Sequence, residues 1–392
     1  MSLLKHKKLS CAQLIALLVL LSFNVRSFSQ TVFVDSTKNQ EKDKALHSVE
    51  LQTKFEFGGV ISALEERGIY EYYGSDIRLG FRRQENNVYS TLYRSPIFGV
   101  GLYAGTFKDE AFGNPYAIDG FVDIPVMHMP ENWEWIYSIG LGLATNFNFY
   151  DPIDNPDNEI IGTRRNVYIA LSTEIRYYLT PHWKVGAGAG FKHFSNGRLR
   201  LPNKSINVLP ISVMASYDFE GARPAIDKSK VSKFIPFNMY SIFGAVGNRN
   251  FEYGKAAYFK STLSANFLHQ FNYKYRFGLG VEFFYTAGSL DRVTEDKSDF
   301  KKQYSYGFVG LWEWVLTDRL YVPLNVGVYL NRNEQNEESA IYKRLGVRYL
   351  VGRQKKMFAG VSLKVTETRS DYIEWTLGYT FKKDPNKYDL LF

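Results

Sequence analysis

Residues 133–149 read WEWIYSIGLGLATNFNF, and the side chains of this stretch alternate in polarity. Most odd positions carry aromatic or branched apolar residues, whereas most even positions carry small or polar ones. A period of two places successive side chains on opposite faces of a β-strand. A strand of about ten residues with one apolar face suits the wall of a transmembrane barrel, because lipid cannot satisfy backbone hydrogen bonds.

The same alternation recurs along the chain, for example over Val167–Tyr177 and Tyr275–Tyr285. We count about sixteen such segments, and an even number is usual for a bacterial barrel. They begin near Val49, Tyr70, Pro96, Tyr116, Trp133, Asn166, Trp183, Ile206, Phe234, Tyr258, Lys274, Gln303, Arg319, Tyr342, Met357 and Ser370. The sequence therefore predicts an all-β fold, an antiparallel transmembrane β-barrel of about 16 strands.

The connections between these segments alternate in length. Short turns such as Thr180–His182 follow the fourth, sixth, tenth and twelfth segments, and longer polar loops such as Asp151–Arg165 follow the fifth, seventh, eleventh and thirteenth. A chain that starts in the periplasm places its short turns after even-numbered strands. The connection after the second segment departs from this rule, but the others fix the orientation.

The chain also contains a weak internal repeat, because Ile169–Ser195 aligns without a gap onto Ile341–Glu367. This repeat predicts two eight-strand halves and leaves open whether they close as one wide barrel or two narrow ones. The predicted organisation is a signal peptide (1–29), a periplasmic N-terminal segment (30–48), a first barrel half (49–219), a periplasmic linker (220–233) and a second barrel half (234–392).

The signal peptide is predicted from the order of its residue types. Three lysines within residues 5–8 precede an apolar run around Leu14–Leu21, and Ser27 and Ser29 supply the small residues that a signal peptidase reads. The apolar run is too short for a transmembrane helix, which needs roughly twenty residues. Cys11, the one cysteine, lies in this segment, so we expect no disulfide or thiolate chemistry in the mature protein.

The overall composition agrees with a membrane barrel. Aromatic residues make up 16% of the chain, with 28 Tyr and 30 Phe, and such rings form girdles at the two membrane interfaces. The net charge of +8 includes four positive charges within the signal peptide. We therefore see no case for nucleic-acid binding.

One segment carries residues beyond the strand pattern. Residues 191–197 read FKHFSNG, and His193 and Ser195 are two positions apart, so both side chains point to the apolar, lipid-facing side of the seventh strand. Asn207 opens the eighth strand on the corresponding face. A hairpin is therefore expected to bring His193, Ser195 and Asn207 together on the outside of the wall, at its extracellular end.

This grouping suits the hydrolysis of an ester. A serine hydroxyl becomes a good nucleophile when a histidine takes its proton, and the histidine needs a partner that orients its ring. We expect Ser195 to be the nucleophile, His193 the base and Asn207 its orienting partner. Asn196 and the backbone N–H of Gly197 lie beside the serine and are candidates for an oxyanion hole.

The motif resembles that of a known family. His-x-Ser-Asn-Gly over residues 193–197, with Pro202 and Asn203 nine and ten residues after the histidine, resembles the outer-membrane lipid A 3-O-deacylase (PagL-type) family, of acyloxyacyl hydrolase type. The resemblance covers residues 49–219 and implies a serine esterase that removes an acyl chain from lipid A at the outer leaflet. That family carries a Glu where this chain has Asn207, which leaves the third catalytic residue open.

Two alternatives remain open at this point. Arg198 and the asparagine at position 207 also resemble outer-membrane phospholipase A, which implies calcium and a homodimer. However, the position of that family's calcium-binding Asp holds Arg200 here. The alternative from another class is a non-enzymatic porin or transport barrel.

A set of basic residues lies on the predicted outer loops near Ser195, namely Arg164, Arg165, Arg198, Arg200 and Lys204. The planar guanidinium group matches phosphate oxygens, so these residues are candidates for binding lipid A, and the alternative is an ordinary solvated rim. The other histidines show no metal-ligand spacing, so neither a metal nor a cofactor is expected. The expected partners are lipid A of lipopolysaccharide and outer-membrane lipids.

Overall fold

The computed structural model describes residues 46–60, 71–84, 88–126, 129–130, 132–221, 231–287, 304–333, 337, 339–366 and 369–386. The predicted signal peptide and most of the predicted linker lie outside these residues. The described elements are β1 (Leu46–Val60), β2 (Glu71–Gln84), α1 (Val88–Leu92), β3 (Ile97–Thr106), β4 (Gly113–Pro125), β5 (Trp133–Phe147), β6 (Asn166–Tyr178), β7 (Trp183–Ser195), β8 (Ile206–Asp218), β9 (Phe237–Arg249), β10 (Tyr258–Gln270), β11 (Tyr275–Thr286), β12 (Tyr304–Val315), β13 (Leu320–Asn331), β14 (Ile341–Val351), β15 (Met357–Thr366) and β16 (Arg369–Lys382).

These strands form two closed antiparallel barrels of eight strands each. The first barrel closes where β1 pairs with β8, and the second closes where β16 pairs with β9. The all-β prediction is thus confirmed, and the question of one wide or two narrow barrels is answered in favour of two. Every strand begins within three residues of its predicted start.

Charged side chains fill the interior of both barrels. In the first barrel, Arg176 lies between Asp123 and Glu174 at 2.6 and 2.7 Å. In the second, Arg344 forms an ion pair with Glu282 at 2.7 Å. An eight-stranded barrel is just wide enough for its side chains to fill, and buried charges need such partners. This packed interior is the opposite of the open lumen that a porin requires.

The two interiors also agree in detail at the seventh strand of each barrel. The internal repeat aligns Lys192 with Lys364, and both side chains are buried within their barrels. Lys192 lies 3.2 Å from Asp76 and donates a hydrogen bond to a tyrosine hydroxyl. Lys364 lies 2.7 Å from Asp371 and likewise donates to a tyrosine. The internal repeat therefore includes residues of the buried ion-pair networks.

The outer walls are apolar, as the alternation predicts. Large apolar side chains point outward from both barrels and are more than half exposed, for example Ile118 and Leu143 in the first barrel and Leu279 and Trp375 in the second. Exposed apolar patches of this extent mark a surface that contacts lipid or protein.

The connection after β2 contains the short helix α1 and contacts the second barrel. The hydroxyl of Tyr93 donates to the carbonyl of Val315 at 2.5 Å and accepts from Nε1 of Trp314 at 2.7 Å. Tyr89 meets Tyr273 edge to face. This contact gives a structural reason why the second connection departs from the pattern of short turns.

No helix within the described ranges is long and apolar enough to cross a membrane.

At the opposite ends of the strands, the loop between β7 and β8 also contacts the second barrel. The backbone N–H of Asn250 donates to the carbonyl of Arg198 at 2.7 Å. The loop between β5 and β6 makes a second contact, because the ring of Tyr150 lies 5.0 Å from that of Tyr253 in the second barrel. The two barrels are therefore joined at both ends, and one of these contacts adjoins the candidate site.

Candidate active site

Strand β7 positions the two central residues of the predicted site. Lys192 and Phe194 point into the barrel, where Phe194 packs among Tyr103, Phe147 and Tyr168. The strand period therefore turns His193 and Ser195 outward, as the sequence predicts.

His193 and Asn207 lie directly opposite each other in the ladder between β7 and β8. Nδ1 of His193 lies 2.6 Å from Oδ1 of Asn207. A carbonyl oxygen can only accept, so Nδ1 carries the hydrogen and Nε2 keeps its lone pair. The neutral histidine is thus held in the tautomer that can take a proton through Nε2.

Ser195 is surrounded by hydrogen-bonding groups. Its Oγ accepts a hydrogen bond from the backbone N–H of Gly197 at 3.1 Å and from Nδ2 of Asn203 at 3.1 Å. Its hydroxyl also lies 3.3 Å from Oδ1 of Asn203. Within the described part of the chain, no hydrogen bond joins Ser195 to His193.

Asn203 is a site residue to which sequence reasoning gave no role. Besides its two contacts with Ser195, its Oδ1 accepts the backbone N–H of Asn196 at 3.1 Å. The Pro202-Asn203 dipeptide is part of the sequence motif and could have pointed to this residue. The motif does not reveal how the loop folds, and it is the fold of the loop that brings residue 203 back beside residue 195.

The side chain of Asn196, predicted as an oxyanion donor, has other partners in the structure. Its Nδ2 donates to Oγ1 of Thr163 at 3.1 Å and to the carbonyl of Arg200 at 2.8 Å. In this arrangement the side chain supports the loop. The N–H of Gly197, predicted for the same role, does point at Ser195 Oγ.

Two features of the structure favour glycine at position 197. Its φ of +62° lies in the left-handed region, which residues other than glycine adopt less readily. A Cβ on this residue would also lie 2.4 Å from Cγ1 of Ile373, a residue of β16 in the second barrel. The second barrel therefore lies directly against the loop that carries the site.

This contact changes the expected surroundings of the serine. The sequence predicts a site on an open, lipid-facing wall. In the structure Ser195 is 3% exposed. Phe191, which lies four residues earlier on the same face of β7, is 1% exposed. His193 remains half-buried. Local alternation could not predict this burial, because the contact of Ile373 with Gly197 joins two separate barrels.

The predicted basic residues lie around the loops at this end. Arg164, Arg165, Arg200 and Lys204 are exposed, and Arg198 is half-buried. Lys204 forms an exposed ion pair with Glu159 at 3.5 Å, and such pairs contribute little to stability. Among the described residues, no group of three or more His, Cys, Asp and Glu side chains is placed to hold a metal ion.

Two closed barrels with apolar outer walls define this chain as an outer-membrane β-barrel protein. Two family models then specify it further. Residues 77–216 match the model described as lipid A 3-O-deacylase (PagL), and residues 238–383 match the acyloxyacyl hydrolase C-terminal domain. Because these models together match well over half of the chain, it belongs to the lipid A 3-O-deacylase family, whose members are hydrolases.

Solved structures of other barrels are similar to this chain at low identity. Neisserial surface protein A is 14% identical over 44% of this chain and 97% of that one, with a TM-score of 0.31. The outer-membrane enzyme PagL is 10% identical over 42% of this chain and 97% of its own, also with a TM-score of 0.31. The toluene transporter TodX of P. putida is 10% identical over 86% of this chain and 91% of its own, at 0.18. No curated protein sequence matches the chain.

Proposed function

We propose that this protein is a serine esterase that removes an ester-linked acyl chain, at the 3-O position, from lipid A in the outer leaflet. After cleavage of a signal peptide over residues 1–29, the chain inserts into the outer membrane with its short turns in the periplasm. The loop between β7 and β8 then faces the outside of the cell. We therefore infer that Ser195 lies near the outer-leaflet boundary.

The single observation that carries the proposal is the convergence of groups around Ser195. His193 is fixed by Asn207 with Nε2 available, and two N–H donors already point at the serine oxygen. Catalysis of acyl transfer needs a nucleophile, an oriented base and donors aimed at the developing oxyanion. The hairpin holds a serine hydroxyl, an oriented histidine and two N–H donors beside the serine, and from these groups we infer the nucleophile, the base and the oxyanion donors.

The reaction starts with a change of rotamer. The Ser195 hydroxyl turns from Asn203 towards Nε2 of His193, a rotation about one staggered torsion. His193 takes the hydroxyl proton while Oγ attacks the ester carbonyl, and the N–H groups of Gly197 and Asn203 stabilise the oxyanion. His193 then returns the proton to the departing sugar oxygen. Water completes the cycle by hydrolysing the acyl-enzyme, with His193 again as base.

The basic residues of the outer loops supply affinity for the substrate. Lipid A carries phosphate groups, and exposed guanidinium groups bind such groups in a bidentate manner. Arg164, Arg165 and Arg200 are exposed on loops at the same end of the barrel as Ser195. We expect them to hold the sugar headgroup while the acyl chains remain in the bilayer.

The test is covalent labelling of the nucleophile. A long-chain fluorophosphonate should attach to Ser195 of the purified full-length protein, as seen by mass spectrometry of the peptide. Ser195→Ala should remain unlabelled, while Ser172→Ala, a serine elsewhere in the first barrel, should label at the wild-type rate. Labelling at another residue, or equal labelling of Ser195→Ala, would contradict the proposed mechanism.

A further inference from the structure

The second barrel contacts the groups that donate to Ser195. Nδ2 of Asn203, which donates to Ser195 Oγ, also donates to Oγ of Ser370 at 3.3 Å. Gly197, whose N–H is the other donor, packs against the side chain of Ile373. Both donors therefore touch the beginning of β16, in a barrel to which sequence analysis assigned no part of the site.

A β-bulge occurs at this point of β16. In the ladder between β15 and β16, Lys364 pairs with Tyr372 and the next residue, Val365, pairs with Ser370. Asp371 is left without a residue opposite it. Asp371 and Tyr372 both point into the barrel, where Asp371 forms an ion pair with Lys364 and both residues are fully buried. Two consecutive inward residues are the effect that a bulge has on a strand.

The bulge determines where the flanking side chains point. Ser370 and Ile373 are three residues apart, so in a regular strand they would lie on opposite faces. Because the bulge adds one inward residue between them, both point outward. They reach the loop of the first barrel at Asn203 and Gly197.

We propose that the second barrel completes the catalytic site, with Ser370 positioning the amide of Asn203 and Ile373 holding the backbone of Gly197 against Ser195. This inference rests on the proposed esterase function, because it assigns roles relative to the nucleophile. It explains why a second barrel without a catalytic motif of its own accompanies the first.

The bonds of the Asn203 amide show how Ser370 acts. The amide oxygen accepts the N–H of Asn196, and the NH₂ group reaches both Ser195 and Ser370. Ser370 thus holds the NH₂ group in the plane where it can meet an oxyanion. Losing one oxyanion donor costs about a hundred- to a thousandfold in turnover. Loss of the residue that positions a donor should cost less, about tenfold.

The experiment compares variants of Ser370 in the full-length protein, with release of acyl chain from lipid A in detergent micelles as the readout. Ser370→Ala should lower kcat about tenfold with KM unchanged, because positioning acts on the transition state. Ser261→Ala is the matched control, since Ser261 is a half-buried, outward-facing serine of β10. Ile373→Ala should also lower kcat, by opening space beside Gly197.

The isosteric pair Ser370→Thr and Ser370→Val separates the hydroxyl from the shape of the side chain. The threonine variant should keep a kcat near that of the wild type, and the valine variant should match alanine. Equal kcat values for the two would overturn the inference. Wild-type kcat in Ser370→Ala, where Ser195→Ala is inactive, would overturn it and leave the esterase intact. Full activity in Ser195→Ala would remove both.

Discussion

Two histidine–asparagine pairs lie on the outer walls of the two barrels, and their geometry is nearly the same. Nδ1 of His193 lies 2.6 Å from Oδ1 of Asn207, and Nδ1 of His269 lies 2.7 Å from Oδ1 of Asn238. In both pairs the residues face each other across neighbouring antiparallel strands. In both, the asparagine oxygen fixes the same tautomer of the histidine.

The surroundings of the two pairs differ. Two residues beyond His193 lies Ser195, with the N–H of Gly197 and the amide of Asn203 around it. The positions two residues before and after His269 hold phenylalanines, and the His269 ring lies 5.5 Å from that of Phe277. The second pair therefore places an imidazole among aromatic side chains that face the membrane. An oriented histidine is common to both barrels, and among the described residues only the first pair has a serine hydroxyl with N–H donors two positions away.

Loss of the nucleophile or the base should have the largest effect. Ser195→Ala and His193→Ala are each expected to lower acyl release by more than about a thousandfold, because members of a catalytic triad act as a unit. The matched control, His269→Ala, should keep wild-type turnover. Heat-modifiable migration on gels checks that every variant remains a closed barrel. If either site variant kept more than about a tenth of the activity, the serine mechanism would be wrong.

Changes to the two asparagines should have a smaller effect. Asn207→Ala should lower turnover by about ten- to a hundredfold, because a neutral partner contributes orientation more than charge. Asn207→Glu should keep or raise turnover, since a carboxylate also stabilises the imidazolium form. Asn238→Ala is the control and should change nothing. Unchanged turnover in Asn207→Ala would show that residue 207 only begins strand β8, and that His193 is oriented by another group.

A chelator should have the smallest effect. The deacylase proposal needs no calcium, and Arg200 stands where the phospholipase pattern would place a calcium-binding carboxylate. Acyl release from lipid A should therefore be the same with and without EDTA, and so should the oligomeric state. Calcium-dependent cleavage of phosphatidylethanolamine by a homodimer, with none of lipid A, would favour the phospholipase alternative instead.

Much of the wall could be predicted from the sequence, because local side-chain alternation determines it. The starts of β6, β7 and β8 coincide with their predicted positions. His193 and Asn207 could be paired in advance, since strand period and hairpin connection place them on one face. Both relations depend only on residues that are close along the chain.

Other features could not be predicted, because they depend on distant contacts. Closure into two barrels depends on β1 meeting β8, whose pairing residues are more than a hundred positions apart. The contact of Ser370 with Asn203 joins residues 167 positions apart and depends on a bulge that alternation does not reveal. The contact of Asn203 with Ser195 depends on the path of the loop after Ser195. Each of these features is determined by tertiary packing.

Mass spectrometry of lipid A tests most directly whether Ser195 removes an acyl chain from this lipid. Cells that express the wild-type protein should contain lipid A lighter by one 3-O-linked acyl chain than cells without it. Cells that express Ser195→Ala at the same level in the outer membrane should contain unmodified lipid A. Identical lipid A in all three strains, or the same loss of a chain with the alanine variant, would contradict the account.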